Sequence, residues 1–192
     1  MKGKPAELSE RIDELESRAA IMELGARYCL GIDRRDLPVF LSIWHEEAEY
    51  VVGRRNGRFK GHSELASALD FVAESYVSTH HWTTNHIVEF DSSDRARAVS
   101  DSFAICVSPD GSPCLVAATY DDECERRDGN WKLLERVVSR WFVSEPMNLA
   151  LITPPAVRSG RIADPKLKID EAESDVVMAE GQEGRGCDGN QS

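Results

Sequence analysis

Along the first part of the chain, apolar residues recur at helical spacing. Ile12, Leu15, Ala19, Met22, Ala26 and Cys29 are three or four positions apart, which predicts a helix from about Glu7 to Leu30 with Gly31 as its stop. Val39, Phe40, Ile43 and Trp44 mark a shorter second helix from Leu37 to His45, with Pro38 in its first turn. Ala48 to Val52 reads as a strand, and Asn56-Gly57 just beyond it is a hairpin-turn signal. A third helix, capped by Ser63 and running to Val77, gathers Leu65, Leu69, Val72 and Tyr76 on one face.

After the pair His80-His81 the period falls to two. "TNHIVEFD", "RARAVSDSFAICVS", "CLVAATYDDECERR" and "WKLLERVVSRWFV" alternate as strands, and "DSSD", "SPDGSP" and "RDGN" separate them as turns. Helices first and a meander after predict an α+β fold, with a curved sheet wrapped over helices and a pocket inside. From about Ser159 the sequence turns acidic, small and free of aromatics. This predicts a folded domain over 1–158, with structure ending near Pro154-Pro155, and a disordered tail over 159–192.

Composition narrows the function. The 192 residues suffice for one domain with a sizeable core and are short for two. A net charge of -11 argues against a nucleic-acid binder, since affinity for phosphates comes from Lys and Arg. No apolar run approaches a membrane span, and the N-terminus lacks a signal-peptide core, so a cytoplasmic protein without a membrane partner is expected. The five cysteines form no C-x-x-C; Cys29, Cys106, Cys114 and Cys124 fit small core residues better than a disulfide framework or a zinc site.

Four positions stand out chemically. In a strand starting near His80, His81, Thr83 and Asn85 face one way, and His80, Trp82, Thr84 and His86 the other, so one histidine can line the interior and its neighbour cannot. A histidine beside an aspartate is a general base, because the carboxylate orients the ring and raises its basicity. Asp33 follows the first helix and is otherwise read as a cap of the second. Tyr28 lies five residues earlier, where a tyrosine is usually core with its hydroxyl at the edge. Arg136 shares a face with Leu134, Val138, Arg140 and Phe142, while Leu133, Glu135, Val137 and Trp141 share the other. A charge among apolar neighbours either snorkels at a sheet edge or lines a polar pocket. No H-x-H or H-E-x-x-H suggests a metal, so none is expected.

"SRAAIMELGARYCLGIDRRD", "SIWHEEAEY", "FKGHSEL", "HHWTTNHIVEF" and "ERRDGNWKLLERV" follow one another over roughly Ser17 to Val143. In that order and spacing the chain resembles the SnoaL-like family of the nuclear-transport-factor-2-like superfamily, and within it γ-hexachlorocyclohexane dehydrochlorinase and bile-acid 7α-dehydratase. The resemblance implies a cone-shaped α+β barrel: a curved, mostly antiparallel sheet closed by N-terminal helices. It also implies an Asp–His dyad. Its aspartate falls on Asp33, its histidine, four residues before the Asn of "TN", on His81, and a catalytic arginine on Arg136. Where the dehydrochlorinase carries a lysine late in its first helix this chain has Tyr28; the dehydratases have a tyrosine there, which points from halide elimination toward dehydration or isomerisation.

The expected function is a cofactor-independent lyase or isomerase, in which the Asp–His base removes a carbon-bound proton from a small hydrophobic substrate, polycyclic and terpenoid-like ones included. Trp44, Phe71, Tyr76, Trp82, Trp141 and Phe142 are candidate walls. The alternatives are a biosynthetic cyclase using the same dyad, and a non-catalytic ligand-binding or assembly module. The resemblance further implies a homodimer or homotrimer formed through the outer sheet face.

Overall fold

A computed structural model describes residues 8–53 and 57–146. The elements are α1 (Leu8–Arg34), α2 (Leu37–Ser42), β1 (Trp44–Val52), β2 (Arg58–Lys60), α3 (Gly61–Ser75), β3 (Ser78–Phe90), β4 (Arg95–Val107), β5 (Pro113–Arg127) and β6 (Asn130–Val143). The six strands form one sheet in the order β2-β1-β6-β5-β4-β3, antiparallel throughout except for the parallel pair β1–β6. This is the expected α+β class; the curved sheet stays open instead of closing into a barrel. Helix α1 lies against β3 and β6, α3 against β1 and β2, and α2 links the two helices. Asn56 of the predicted turn, the boundary near 158 and the tail over 159–192 lie outside the described residues. Among the described residues no helix is long and apolar enough to cross a membrane.

The first helix passes the expected stop and ends at Arg34. Gly31 serves proximity: a Cβ there would stand 2.8 Å from the backbone N and Cα of Phe40, so α1 and α2 cross at a distance only glycine allows. The helix ends at Arg35, whose φ is +54. The Asp36 N–H donates to the Gly31 carbonyl at 2.9 Å and the Arg35 N–H to that of Ile32 at 3.3 Å, the two bonds of a Schellman stop. Asp36, not Asp33, then caps α2 by accepting from the Val39 N–H at 3.0 Å. Strand β1 begins at Trp44, where the sequence reading continued a helix, because the Ile43 carbonyl accepts from the Leu133 N–H and starts the pairing with β6. Helix α3 starts at Gly61, two residues before Ser63, with the Glu64 carboxylate accepting from the Lys60 N–H.

The buried face of α1 is Ser17, Ile21, Leu24 and Tyr28, with Cys29 and Ile32 beyond. Of the stripe expected inside, only Cys29 is buried; Ile12, Leu15, Ala19, Met22 and Ala26 point outward. The helix carries two apolar stripes, and the one interrupted by a serine and a glycine is the one that packs.

Bulges break strict alternation in the long strands. On β3 the register shifts between Thr84 and Ile87, with Asn85 at φ +55. Thr79, His81 and Thr83 are therefore inward and His80, Trp82 and Thr84 more exposed, as expected, but Asn85 and His86 exchange places. His86 turns toward Gly25 of α1, and Asn85 donates to Asp101. On β6, shifts at Leu134 and Trp141 bring Leu133 onto the face of Arg136 and Val138 and turn Phe142 outward. Bulges of this kind bend strands and increase twist.

Candidate active site

The Asp33 carboxylate sits in the last turn of α1, facing β3. A helix C-terminus disfavours a negative charge. Hydrogen bonds offset this: Oδ2 accepts from the His81 backbone N–H at 2.8 Å, and Oδ1 accepts from Thr79 Oγ1 at 3.0 Å and pairs with His81 Nδ1 at 2.6 Å. Thr79 Oγ1 in turn accepts from Arg35 at 3.1 Å, and that guanidinium also donates to the carbonyls of Ile32 and Tyr76. The left-handed residue that ends α1 thus braces, through Thr79, the carboxylate two residues back. With Nδ1–H given to Asp33, His81 keeps a bare Nε2, the atom that can accept a proton. His80 faces away, stacked edge-on against Trp82 with ring centroids 4.5 Å apart.

His81 opens on a cavity of about 200 Å³ between α1, α3 and the inner sheet face. One wall is phenolic. The hydroxyls of Tyr28 and Tyr50 are 2.6 Å apart, and Tyr120 accepts from Ser102 Oγ at 2.8 Å. The Tyr28 and His81 rings meet edge-on at 6.3 Å. Burial raises the pKa of Tyr28 well above its ordinary value, and the neighbouring Tyr50 and Tyr120 add to this against the opposing charge of Arg136; burial likewise raises Tyr50 and Tyr120. All three hydroxyls are therefore protonated donors at neutral pH, not phenolates. The sequence reading missed Tyr50, Tyr120, Ser102 and Thr79.

Arg136 corrects an expectation. It is 1% exposed, so it neither snorkels at an edge nor lines the cavity. Its Nε and Nη2 both donate to Asp122 at 2.7 Å, and its guanidinium carbon lies 4.4 and 4.5 Å from the ring centroids of Tyr28 and Tyr120. Burial alone would lower its pKa, but the Asp122 charge and hydrogen bonds more than reverse that and hold it protonated. Among the described residues Nη1 has no hydrogen-bond acceptor, and the guanidinium lies against the two ring faces. Arg136 reaches the cavity only through the tyrosines it supports.

Of the six expected wall aromatics, Phe71 and Tyr76 line the cavity. Trp44 is fully buried in the core beneath it. Trp82, Trp141 (73% exposed) and Phe142 lie on the outer side of the sheet, because alternation and the β6 bulge turn them there. Among the described residues no three His, Cys, Asp or Glu side chains gather as a metal site requires.

The SnoaL-like domain model matches residues 13–137. Hexachlorocyclohexane dehydrochlorinase 1 of Sphingobium indicum is 36% identical over 124 residues, 64% of this chain and 80% of that protein. γ-Hexachlorocyclohexane dehydrochlorinase of the same species is 33% identical over 127 residues, 65% and 81% of the two chains. The crystal structure of the type 2 hexachlorocyclohexane dehydrochlorinase LinA is similar with a TM-score of 0.69 at 30% identity, covering 76% of this chain and 99% of that one.

Proposed function

The chain belongs to the SnoaL-like family, and from that premise we propose that it is a cofactor-independent lyase that eliminates water from a small, mainly apolar ring substrate. The observation that carries this reading is the 2.6 Å Asp33–His81 pair opening on an apolar cavity. His81 Nε2 removes a proton from carbon; the C–O bond on the neighbouring carbon breaks as the double bond forms. The imidazolium, stabilised by Asp33, returns its proton to the departing hydroxide, so that water leaves and the enzyme is restored. Whichever of Tyr28 and Tyr50 accepts in their mutual hydrogen bond keeps its own proton to donate to the oxygen on which charge develops. Their raised pKa values favour this donor role over proton loss. Arg136 and Asp122 hold Tyr28 and Tyr120 in place and touch no substrate.

At about 200 Å³ the cavity is smaller than the ~300–1,000 Å³ of pockets that enclose drug-sized ligands, which favours a one-ring substrate over a polycyclic one. A second reading, loss of chloride, is favoured by the names of the relatives, which are dehydrochlorinases. The two are separated by offering matched β-hydroxy and β-chloro cyclohexyl compounds and measuring alkene formation. Alkene from the hydroxy series, lost by about 10²–10⁴-fold in His81→Ala and little changed in His80→Ala, is the expected result. Equal losses in the two variants would sink the dyad, and turnover of the chloro series alone would replace dehydration by dehydrochlorination.

A further inference from the structure

Arg140 continues the inward row of β6 one step beyond Val138 and lines the same cavity as Tyr28 and His81. Among the described residues it has no carboxylate or carbonyl partner, although the chain carries a net charge of -11. The neighbouring cations are committed: Arg136 to Asp122, and Arg35 to the Ile32 and Tyr76 carbonyls and Thr79. Opposite Arg140, Gly53 has φ +59, and an added Cβ would stand 3.9 Å from Nη2, so the end of β1 leaves the guanidinium room. Val52, Phe71, Val72 and Tyr76 supply apolar surface around the same space. Arg140 is itself exposed at the cavity mouth, open to an incoming anion, and its planar fork matches a carboxylate.

We infer that Arg140 receives an anionic substituent of the substrate, which makes the substrate class a compact ring bearing a carboxylate at the end away from the reacting carbon. This rests on the proposed use of the cavity as the substrate site. The sheet register sets the separation: Arg140 pairs with Ala118, Ala118 with Ser102, and Ser102 with Thr83. Three strand spacings, about 14 Å between backbones, therefore part Arg140 from the strand of His81. A guanidinium reaching in from one side and an imidazole from the other leave room for one ring between them.

Cyclohexanecarboxylate and its neutral isostere cyclohexanecarboxamide, titrated into the full chain by calorimetry, test this. The carboxylate should bind about tenfold or more tightly than the amide. Arg140→Gln, a surface change that leaves the fold intact, should bring the two to within about twofold, and Arg140→Lys should keep part of the preference. His81→Ala should keep all of it, so the charge preference stands or falls apart from the dyad. Absence of a preference in the wild type, including binding of neither probe, or its survival in Arg140→Gln, overturns the inference.

A different surface carries a second inference. Leu8, Ile12, Leu15, Ala19, Met22 and Ala26 repeat at spacings of four and three along α1, and all are exposed, opposite the buried Ser17, Ile21, Leu24 and Tyr28. That repeat is the seam of a coiled coil. Residues 8–16 are exposed throughout, and a solvent-surrounded helical stretch of that length is marginal alone. The flanks differ in sign: Arg11 and Arg18 on one side of the stripe, Glu16 and Glu23 on the other. In a parallel pair of identical helices each arginine meets the partner's glutamate five positions on; an antiparallel pair sets like charges together. Among the described residues Arg11 and Glu16 have no partner within the chain, whereas Arg18 holds Glu14, donates to the Val88 carbonyl and lies over Phe90, and Glu23 holds Arg27.

We propose that a second copy of the chain docks here as a parallel helix pair. Light scattering on the full chain should give a dimer that Leu15→Glu converts to monomer. Arg11→Glu with Arg18→Glu should weaken it, and adding Glu16→Arg and Glu23→Arg should restore it. A monomeric wild type overturns the proposal. So does a dimer that Leu15→Glu leaves whole while Phe103→Glu, on the exposed outer face of the sheet, dissociates it; the interface is then that sheet face.

Discussion

Replacing Arg136 by Gln would leave the Asp122 carboxylate buried without its counter-charge. Breaking one side of a buried pair costs about 3–5 kcal/mol. Arg136→Gln should therefore lower the unfolding free energy measured by urea titration by an amount of that order, with a lower midpoint, whereas Arg136→Met combined with Asp122→Leu should cost markedly less, since no charge is then stranded. A wild-type midpoint for Arg136→Gln would show that the pair does not hold the tyrosines. At this scale the contact between Asp33 and His81 was legible through the family resemblance, with strand alternation separating His81 from His80; the residues alone read Asp33 as a cap. Tyr50 and Tyr120 were not legible, since a strand tyrosine looks the same in sequence whether its hydroxyl meets solvent or another hydroxyl. Trp44, Trp82, Trp141 and Phe142 were misassigned for a related reason: aromatic character marks burial or exposed surface as readily as a cavity wall.

Among the elements, the crossing of α1 and α2 decides where Asp33 stands. Gly31→Ala would gain about 1 kcal/mol of helix propensity, but its methyl would meet the Phe40 backbone at 2.8 Å, and overpacking of that kind costs about 1–3 kcal/mol. The net effect should be a lower melting temperature together with slower turnover, because the helix end that moves carries the carboxylate. A variant as stable and as active as wild type would show that the helices separate freely. The three helices, β1 and the meander from β3 to β6 were legible from period, whereas the three-residue β2 is too short to show one and was not predicted. The inward face of α1 was not legible, because two stripes competed and glycine conceals close packing. Strand parity beyond Asn85 and Leu134 was also out of reach, since bulges carry no compositional mark.

For the molecule as a whole, the core can be read through its thiols. Burial raises Cys29 to about 11 and Cys106 and Cys124 to about 12. At pH 8 about one thiol in 10³ to 10⁴ is then the nucleophilic thiolate, and all three are enclosed. Iodoacetamide labelling followed by peptide mass mapping should leave them unmodified in the native chain and alkylate them in urea; prompt native labelling of Cys124 would mean the core opens readily. Cys187 lies outside the described residues. The whole-chain charge of -11 directed attention away from phosphate partners and said nothing of Arg140, which has no carboxylate partner among the described residues. A global sum hides a local exception.

The bulge at Asn85 has an evolutionary consequence. Because the strand changes parity there, the segment that presents His81 and the segment that anchors Val88 and Phe90 in the core are joined by a residue tied to neither duty. Selection can recast the cavity-facing residues on one side of that joint without disturbing the ballast on the other, and a lineage that lost the extra residue would have to rebuild one of the two.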